Sequence, residues 1–146
     1  TLFMALAGIA VRIGATTLTS MQGLGRKMPW TSFGFVAGGL SLIGVPLTAG
    51  FISKWYLVSA AALAGRWPLV FLILLGSLLA IIYIWRVVEA LYFKPAADNS
   101  PVKEAPLTML IALWLLILGN VYFGIDTRLP VSISYDAATA LVEGRP

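Results

Sequence analysis

Between Met28 and Gly65 the chain carries a single charged residue, Lys54, in a setting that is otherwise apolar, aromatic, small or hydroxyl-bearing. A straight helix over Trp30 to Gly65 would run about 54 Å at ~1.5 Å per residue, against a hydrocarbon core of about 30 Å. One straight, fully buried span is therefore excluded. An ammonium near a bilayer centre costs roughly 3 kcal/mol on insertion scales, so a lysine there needs a partner, a wet cavity or a task. The local sequence is Val45-Pro46-Leu47-Thr48-Ala49-Gly50-Phe51-Ile52-Ser53-Lys54-Trp55-Tyr56. Pro46 and Gly50 stand where a spanning helix is expected to break and open a polar pocket.

Only 11% of the residues are charged and 60% are hydrophobic, with a mean hydropathy of +0.93. Soluble domains carry about 25% charged residues, so this balance points to an all-α polytopic membrane bundle. The net charge of +4 comes from basic residues flanking apolar runs. That is membrane-orienting charge rather than a nucleic-acid surface. Cysteine and histidine are both absent, which excludes disulfides, thiolate metal sites and imidazole catalysis within this chain. Gly23-Leu24-Gly25 is too short for a phosphate loop and no nucleotide motif follows it. No cofactor or metal is expected.

Residues 1–13 precede or include the first charge, Arg12, and are too short for a span of about 20 residues. They read as the end of a truncated transmembrane helix, and the chain as the C-terminal part of something longer. Residues 14–29 form a connecting segment, 30–65 a discontinuous span and 66–93 a continuous one. A polar loop at 94–104 leads to a span at 105–125, with Pro106 in its first turn and Glu104 at the positive end of its dipole. Residues 126–146 read as a short tail in which Asp136 caps a weak helical turn or two. The stretch 30–65 has two solutions: one broken helix, or two short spans reversing near Pro46. With one broken helix, Arg12, Arg26, Lys27, Arg86, Lys94 and Lys103 share the cytoplasmic side and Arg66, Arg128 and Arg145 lie opposite. The positive-inside rule favours that solution.

Lys54 is the leading candidate for chemistry. Pro46 removes a backbone donor and frees the Leu42 carbonyl one turn earlier, while Ser41, Thr48 and Ser53 add hydroxyls that bind water. Burial disfavours the charged form of an amine, which lets a buried lysine gain and lose a proton. Snorkelling to the headgroups is the bland alternative, but Arg66 at the nearer helix end lies about 18 Å away. Arg86 and Glu89, at i and i+3 beside Tyr83, Trp85, Tyr92 and Phe93, read as an interfacial ion pair, a polar patch at the mouth of a proton path, or a contact with a partner subunit. Asn120 reads as an interhelical hydrogen-bonding residue.

Three stretches together resemble a known family: Gly23-Leu24-Gly25-Arg26-Lys27-Met28-Pro29-Trp30, Ser41 through Tyr56, and Tyr83-Ile84-Trp85-Arg86-Val87-Val88-Glu89-Ala90-Leu91-Tyr92-Phe93. They are similar to the C-terminal part of the proton-conducting antiporter-like subunits of Mrp sodium/proton antiporters, complex I and membrane-bound hydrogenases. The third stretch is most like the D-type branch of the Mrp proteins. The resemblance implies a fourteen-helix fold with Pro-broken helices, in which Lys54 takes the proton-relay position, Pro46 and Gly50 open the helix, and Thr48 and Ser53 hold water. Many relatives carry two adjacent prolines at the break, whereas here Leu47 follows Pro46.

What the resemblance implies is an ion-transport subunit rather than an enzyme, multi-pass in the bacterial inner membrane. Its partners would be other subunits of an antiporter or respiratory complex, the lipid bilayer, and protons with sodium or potassium as candidate coupled cations. No nucleic acid is implied. The rival class is a non-conducting membrane scaffold, in which Lys54 would tolerate replacement without loss of flux.

Overall fold

The computed structural model describes residues 1–14, 17–96 and 102–143. The remainder of the stretches anticipated at 14–29, 94–104 and 126–146, with Arg145, lies outside the described residues. The elements are α1 (Leu2–Ile13), α2 (Leu24–Lys27), α3 (Pro29–Ile43), α4 (Ala49–Leu63), α5 (Trp67–Val88), which continues as a π-helical turn (Glu89–Phe93), α6 (Leu107–Ile125) and α7 (Arg128–Glu143). The architecture is an all-α membrane bundle with one proline-broken helix, made of α3 and α4. The run Trp67–Phe93 and the helix Leu107–Ile125 are each long and apolar enough to cross a membrane.

Helix α3 is the centre of the bundle: Thr31, Ser32, Gly34, Phe35, Gly38, Gly39 and Ser41 are buried along one broad face, while Phe33 and Leu40 on the opposite face are exposed. Both faces lack charge, as in a membrane-buried helix. Glycine supplies the room. A Cβ on Gly34 would meet Leu113 of α6 at 2.5 Å, one on Gly39 would meet Ile84 of α5 at 2.9 Å, and one on Gly38 would meet Leu2 of α1 at 3.2 Å. Small residues at helix crossings let backbones approach where lipid provides no hydrophobic drive for association. By contrast, α5 buries only Ala80 and Ile84 and turns residues such as Leu72, Leu79 and Ile82 outward.

The neighbours of α5 decide how the long apolar stretch is arranged. Its π turn meets Gly25, Ile84 meets Gly39, and Ser77 meets Lys54. The partner number rises through α3 and into α4 as the α5 number falls, so the two half-helices follow one another along a single antiparallel helix. Helix α6 runs parallel to α3, from Glu104 beside Trp30 and Thr31 to Asn120 beside Ser41. A reversal at Pro46 would send α4 back along α3 and break the register with α5.

Local chemistry explains the ends. Helix α3 stops at Gly44, whose φ of 92° is a left-handed conformation that glycine adopts without a Cβ penalty. The Gly44 and Val45 N–H groups both bond back to the Leu40 carbonyl, closing the helix in a Schellman-type turn. Helix α4 starts at Thr48, whose hydroxyl accepts from the Phe51 N–H at 3.4 Å and donates to the Val45 carbonyl at 2.7 Å. Between them Leu47 holds a φ of 74°, a left-handed position that costs a residue with a Cβ roughly 1–3 kcal/mol.

Three features differ from the sequence expectation. Glu104 does not serve the dipole of its own helix. Its carboxylate instead caps α3, accepting from the Trp30 N–H at 2.9 Å and the Thr31 hydroxyl at 2.7 Å, while Arg12 donates to its carbonyl at 2.7 Å. Glu89 does not pair with Arg86: the π turn carries it to Lys94, 4.0 Å away, with both side chains about half exposed. The stretch after Asp126 is not a tail with a weak turn but the helix α7. The Ser132 and Ser134 hydroxyls, unfavourable for a helix by propensity, donate to the Leu129 and Pro130 carbonyls and so are satisfied within it.

The π turn itself anchors the segment before α3. The Lys94 N–H bonds the Glu89 carbonyl, and the next donor along would be Pro95, which has no N–H. The Ala90 carbonyl is thereby free to accept from the Gly23 N–H at 3.0 Å. Gly25 lies flat against the Tyr92 ring, where a Cβ would stand 2.6 Å from it.

Candidate functional site

The break in α3–α4 leaves two carbonyls without helical donors. The residue four beyond Leu42 is Pro46, which has no N–H, and the Schellman-type closure carries the chain away before Ile43 can be paired. The Lys54 ammonium occupies both. Its Nζ donates to the Leu42 carbonyl at 2.7 Å, the Ile43 carbonyl at 3.0 Å and the Ser77 hydroxyl of α5 at 2.7 Å. All three N–H groups of the ammonium are spent, and every acceptor is neutral. The charge is solvated by protein oxygen without being cancelled. It also stands at the C-terminal end of α3, where the helix dipole favours a cation.

A second polar node locks the break from the side of α6. The Asn120 side-chain oxygen accepts from the Ser41 hydroxyl at 3.0 Å and from the Ala49 N–H at 3.0 Å, joining the last turn of one half-helix to the first of the next. Gly50 is required on the same grounds. A Cβ there would collide with the Ser41 carbonyl oxygen, so only glycine lets α4 lie this close to α3. Gly124 likewise sits against the Leu47 carbonyl. Beside Lys54 a cavity of about 600 Å³ opens, lined by Phe35, Ser41, Gly50, Ser53, Tyr83 and Asn120 among others.

The residues singled out in the sequence are thus only partly gathered together. Lys54, Gly50 and Ser53 line the cavity. Pro46 lies at the break, exposed, and Thr48 is the cap of α4. The Ser53 hydroxyl donates to the Gly50 carbonyl at 3.1 Å, and neither it nor the Thr48 hydroxyl is among the hydrogen-bond partners of the Lys54 ammonium. Arg86 and Glu89 are near the far end of α5, more than two helical turns from Ser77 and outside the cavity. Sequence reasoning missed Ser77, the one hydroxyl in an otherwise apolar stretch of α5 from Trp67 to Ile82. Its isolation was the available signal.

An all-α bundle with one helix discontinuous at a proline, and freed helix-end carbonyls at the break, is an architecture met among membrane transport folds. The chain belongs to the NADH:quinone oxidoreductase/Mrp antiporter transmembrane family, whose model matches residues 1–82. It is 36% identical to an NADH-quinone oxidoreductase subunit N from Desulforudis audaxviator (strain MP104C), over 85% of this chain and 27% of that relative. It is 31% identical to an F(420)H(2) dehydrogenase subunit N from Methanosarcina mazei, over 86% of this chain and 25% of the relative. The chain therefore spans about a quarter of the length of these curated relatives. Among solved structures, the membrane-bound sulfane sulfur reductase, an archaeal respiratory membrane complex, matches with a TM-score of 0.75 and 35% identity over 85% of this chain and 21% of that one. The Mrp complex from Dietzia sp. DQ12-45-1b has the same fold, with a TM-score of 0.87 at 20% identity over 99% of this chain and 35% of that one.

Proposed function

We propose that this chain forms the lysine-bearing part of a proton-translocating antiporter-like subunit, and that Lys54 is the residue that takes up and releases the proton. The carrying observation is the ammonium held by two freed carbonyls and one hydroxyl at the helix break, with no carboxylate among its partners. A carboxylate partner would hold the proton on the amine, whereas neutral oxygens support the charged form and still let it discharge when a second cation approaches. The subunit works among other subunits of a multisubunit complex in the bacterial inner membrane. The broken helix crosses once, with Arg26 and Lys94 on the cytoplasmic face and Arg66 on the other.

Two branches are in play. The stretch Tyr83–Phe93 supports membership of the D-type Mrp branch, within a cation/proton antiporter. The identity to subunit N relatives favours a second reading, a proton-pumping subunit of a respiratory oxidoreductase. Both place the proton on Lys54.

The test is Lys54→Met in the complete protein, assembled in its complex and assayed for proton flux in vesicles. Methionine keeps much of the side chain's bulk and deletes the charge. Flux should be lost while the complex still assembles, and Lys54→Glu should retain part of it because a carboxylate also carries a proton. An assembled Lys54→Met protein with the parent rate would refute the relay and leave the scaffold reading standing.

A further inference from the structure

The three bonds of the Lys54 ammonium are not equivalent. Two end on peptide carbonyls, which accept a hydrogen bond but have no proton to hand on. The third ends on the Ser77 hydroxyl, which has one. The geometry points to Ser77 as the port through which Lys54 exchanges its proton, an inference that rests on the relay reading above.

Atoms and charge balance in this exchange. The Nζ–H bond aimed at Ser77 breaks as a new O–H bond forms on the serine oxygen. The serine's original O–H bond breaks and its proton passes to a water molecule on the far side. The products are a neutral amine, an intact serine hydroxyl and a hydronium ion, and the reverse steps reload the lysine. Among the described residues no protein oxygen accepts the Ser77 hydroxyl proton, and in the proposed exchange a water molecule takes it.

The same arrangement satisfies both charge states without moving a heavy atom. As an ammonium, Lys54 donates to all three oxygens. As an amine it keeps two N–H groups on Leu42 and Ile43, and its lone pair receives the O–H that Ser77 has just acquired. Neither state leaves a donor stranded, whereas an apolar residue at position 77 strands one N–H of the ammonium and blocks the route out. Ser77 is also placed to matter by its element. It sits on α5, not on the broken helix, so the port is formed only when α5 packs against α4.

Threonine and valine at this position separate the roles, because they share a shape and differ by the hydroxyl. Ser77→Thr, Ser77→Val and Lys54→Met are made in the complete protein, and proton flux is measured in vesicles at matched levels of assembled complex. Ser77→Thr should stay within about twofold of the parent, and Ser77→Val should fall at least about tenfold, since positioned proton-transfer groups contribute roughly a hundredfold or more. If valine disrupts assembly, the smaller Ser77→Ala takes its place and must also run well below Ser77→Thr. Equal rates for the threonine and the hydroxyl-free variant, with Lys54→Met inactive, overturn the port and leave the relay intact. A parent rate for Lys54→Met overturns both.

Discussion

Asn120 offers the most quantitative handle on the helix break, because one oxygen serves two donors from opposite sides of it. In Asn120→Leu the Ser41 hydroxyl and the Ala49 N–H both lose their acceptor, each at 3.0 Å in the parent. Fully buried orphaned donors cost roughly 1–3 kcal/mol apiece. Side-chain hydrogen bonds inside membrane bundles measure lower, about 0.6 kcal/mol on average with a maximum near 1.7. Two such bonds in a half-buried site therefore place the cost at about 1–3 kcal/mol. The pairing is sharper than the sum. Ser41→Ala should be destabilising in the parent and nearly neutral in the Asn120→Leu background, because there the hydroxyl has already lost its partner. Equilibrium unfolding of the four proteins of this cycle, purified in detergent, gives the coupling energy directly. Additivity within about 0.3 kcal/mol would show that Asn120 does not hold Ser41, and the account of the break as a locked joint would fall.

The Gly50→Ala protein should lose at least about 1–3 kcal/mol, since its new methyl meets the Ser41 backbone carbonyl, which cannot swing aside as a side chain would. The displacement of α4 lengthens the lysine's bonds to Leu42 and Ile43, so proton flux should fall with stability; unchanged unfolding and flux would contradict the close approach. The crossing of the broken helix is testable by labelling, as the chain has no cysteine of its own. Cysteines placed at Arg26 and Arg66 should react with impermeant reagents from opposite faces of the membrane, and reaction from one face would rule out a single discontinuous span.

Much of the fold was legible because it follows from solvent and length. A charge-poor stretch longer than the bilayer is thick has few solutions in lipid, and Pro46 with Gly50 marks where the helix is interrupted. Lys54 was visible for the same reason: a cation in that setting is too costly to be incidental. Asn120 was readable as an interhelical contact because a lone amide in an apolar span has few other uses. Local pattern also misled. Arg86 and Glu89 stand at a spacing that pairs charges on an α-helix, but a π turn, unmarked by composition, rotates Glu89 toward Lys94. The segment read as a weak turn or two capped by Asp136 is instead the helix α7, in which the Ser132 and Ser134 hydroxyls bond back to their own turn.

The sequence by itself determined that this chain is a membrane helix bundle, that its long apolar stretch is no single straight span, and that a lysine lies just past Pro46. Those facts depend on hydropathy, on proline chemistry and on spacing along one strand of chain. Only the tertiary structure decided what the lysine touches. Ser77 is 23 residues from Lys54, Asn120 is 79 from Ser41, and Glu104 is 73 from the threonine it binds. Such pairings are set by the rotation and register of packed helices, which depend on how Gly34, Gly39 and Gly50 let neighbouring backbones close. A sequence shows that polar groups buried in lipid must find partners; which partners they find is a property of the packing.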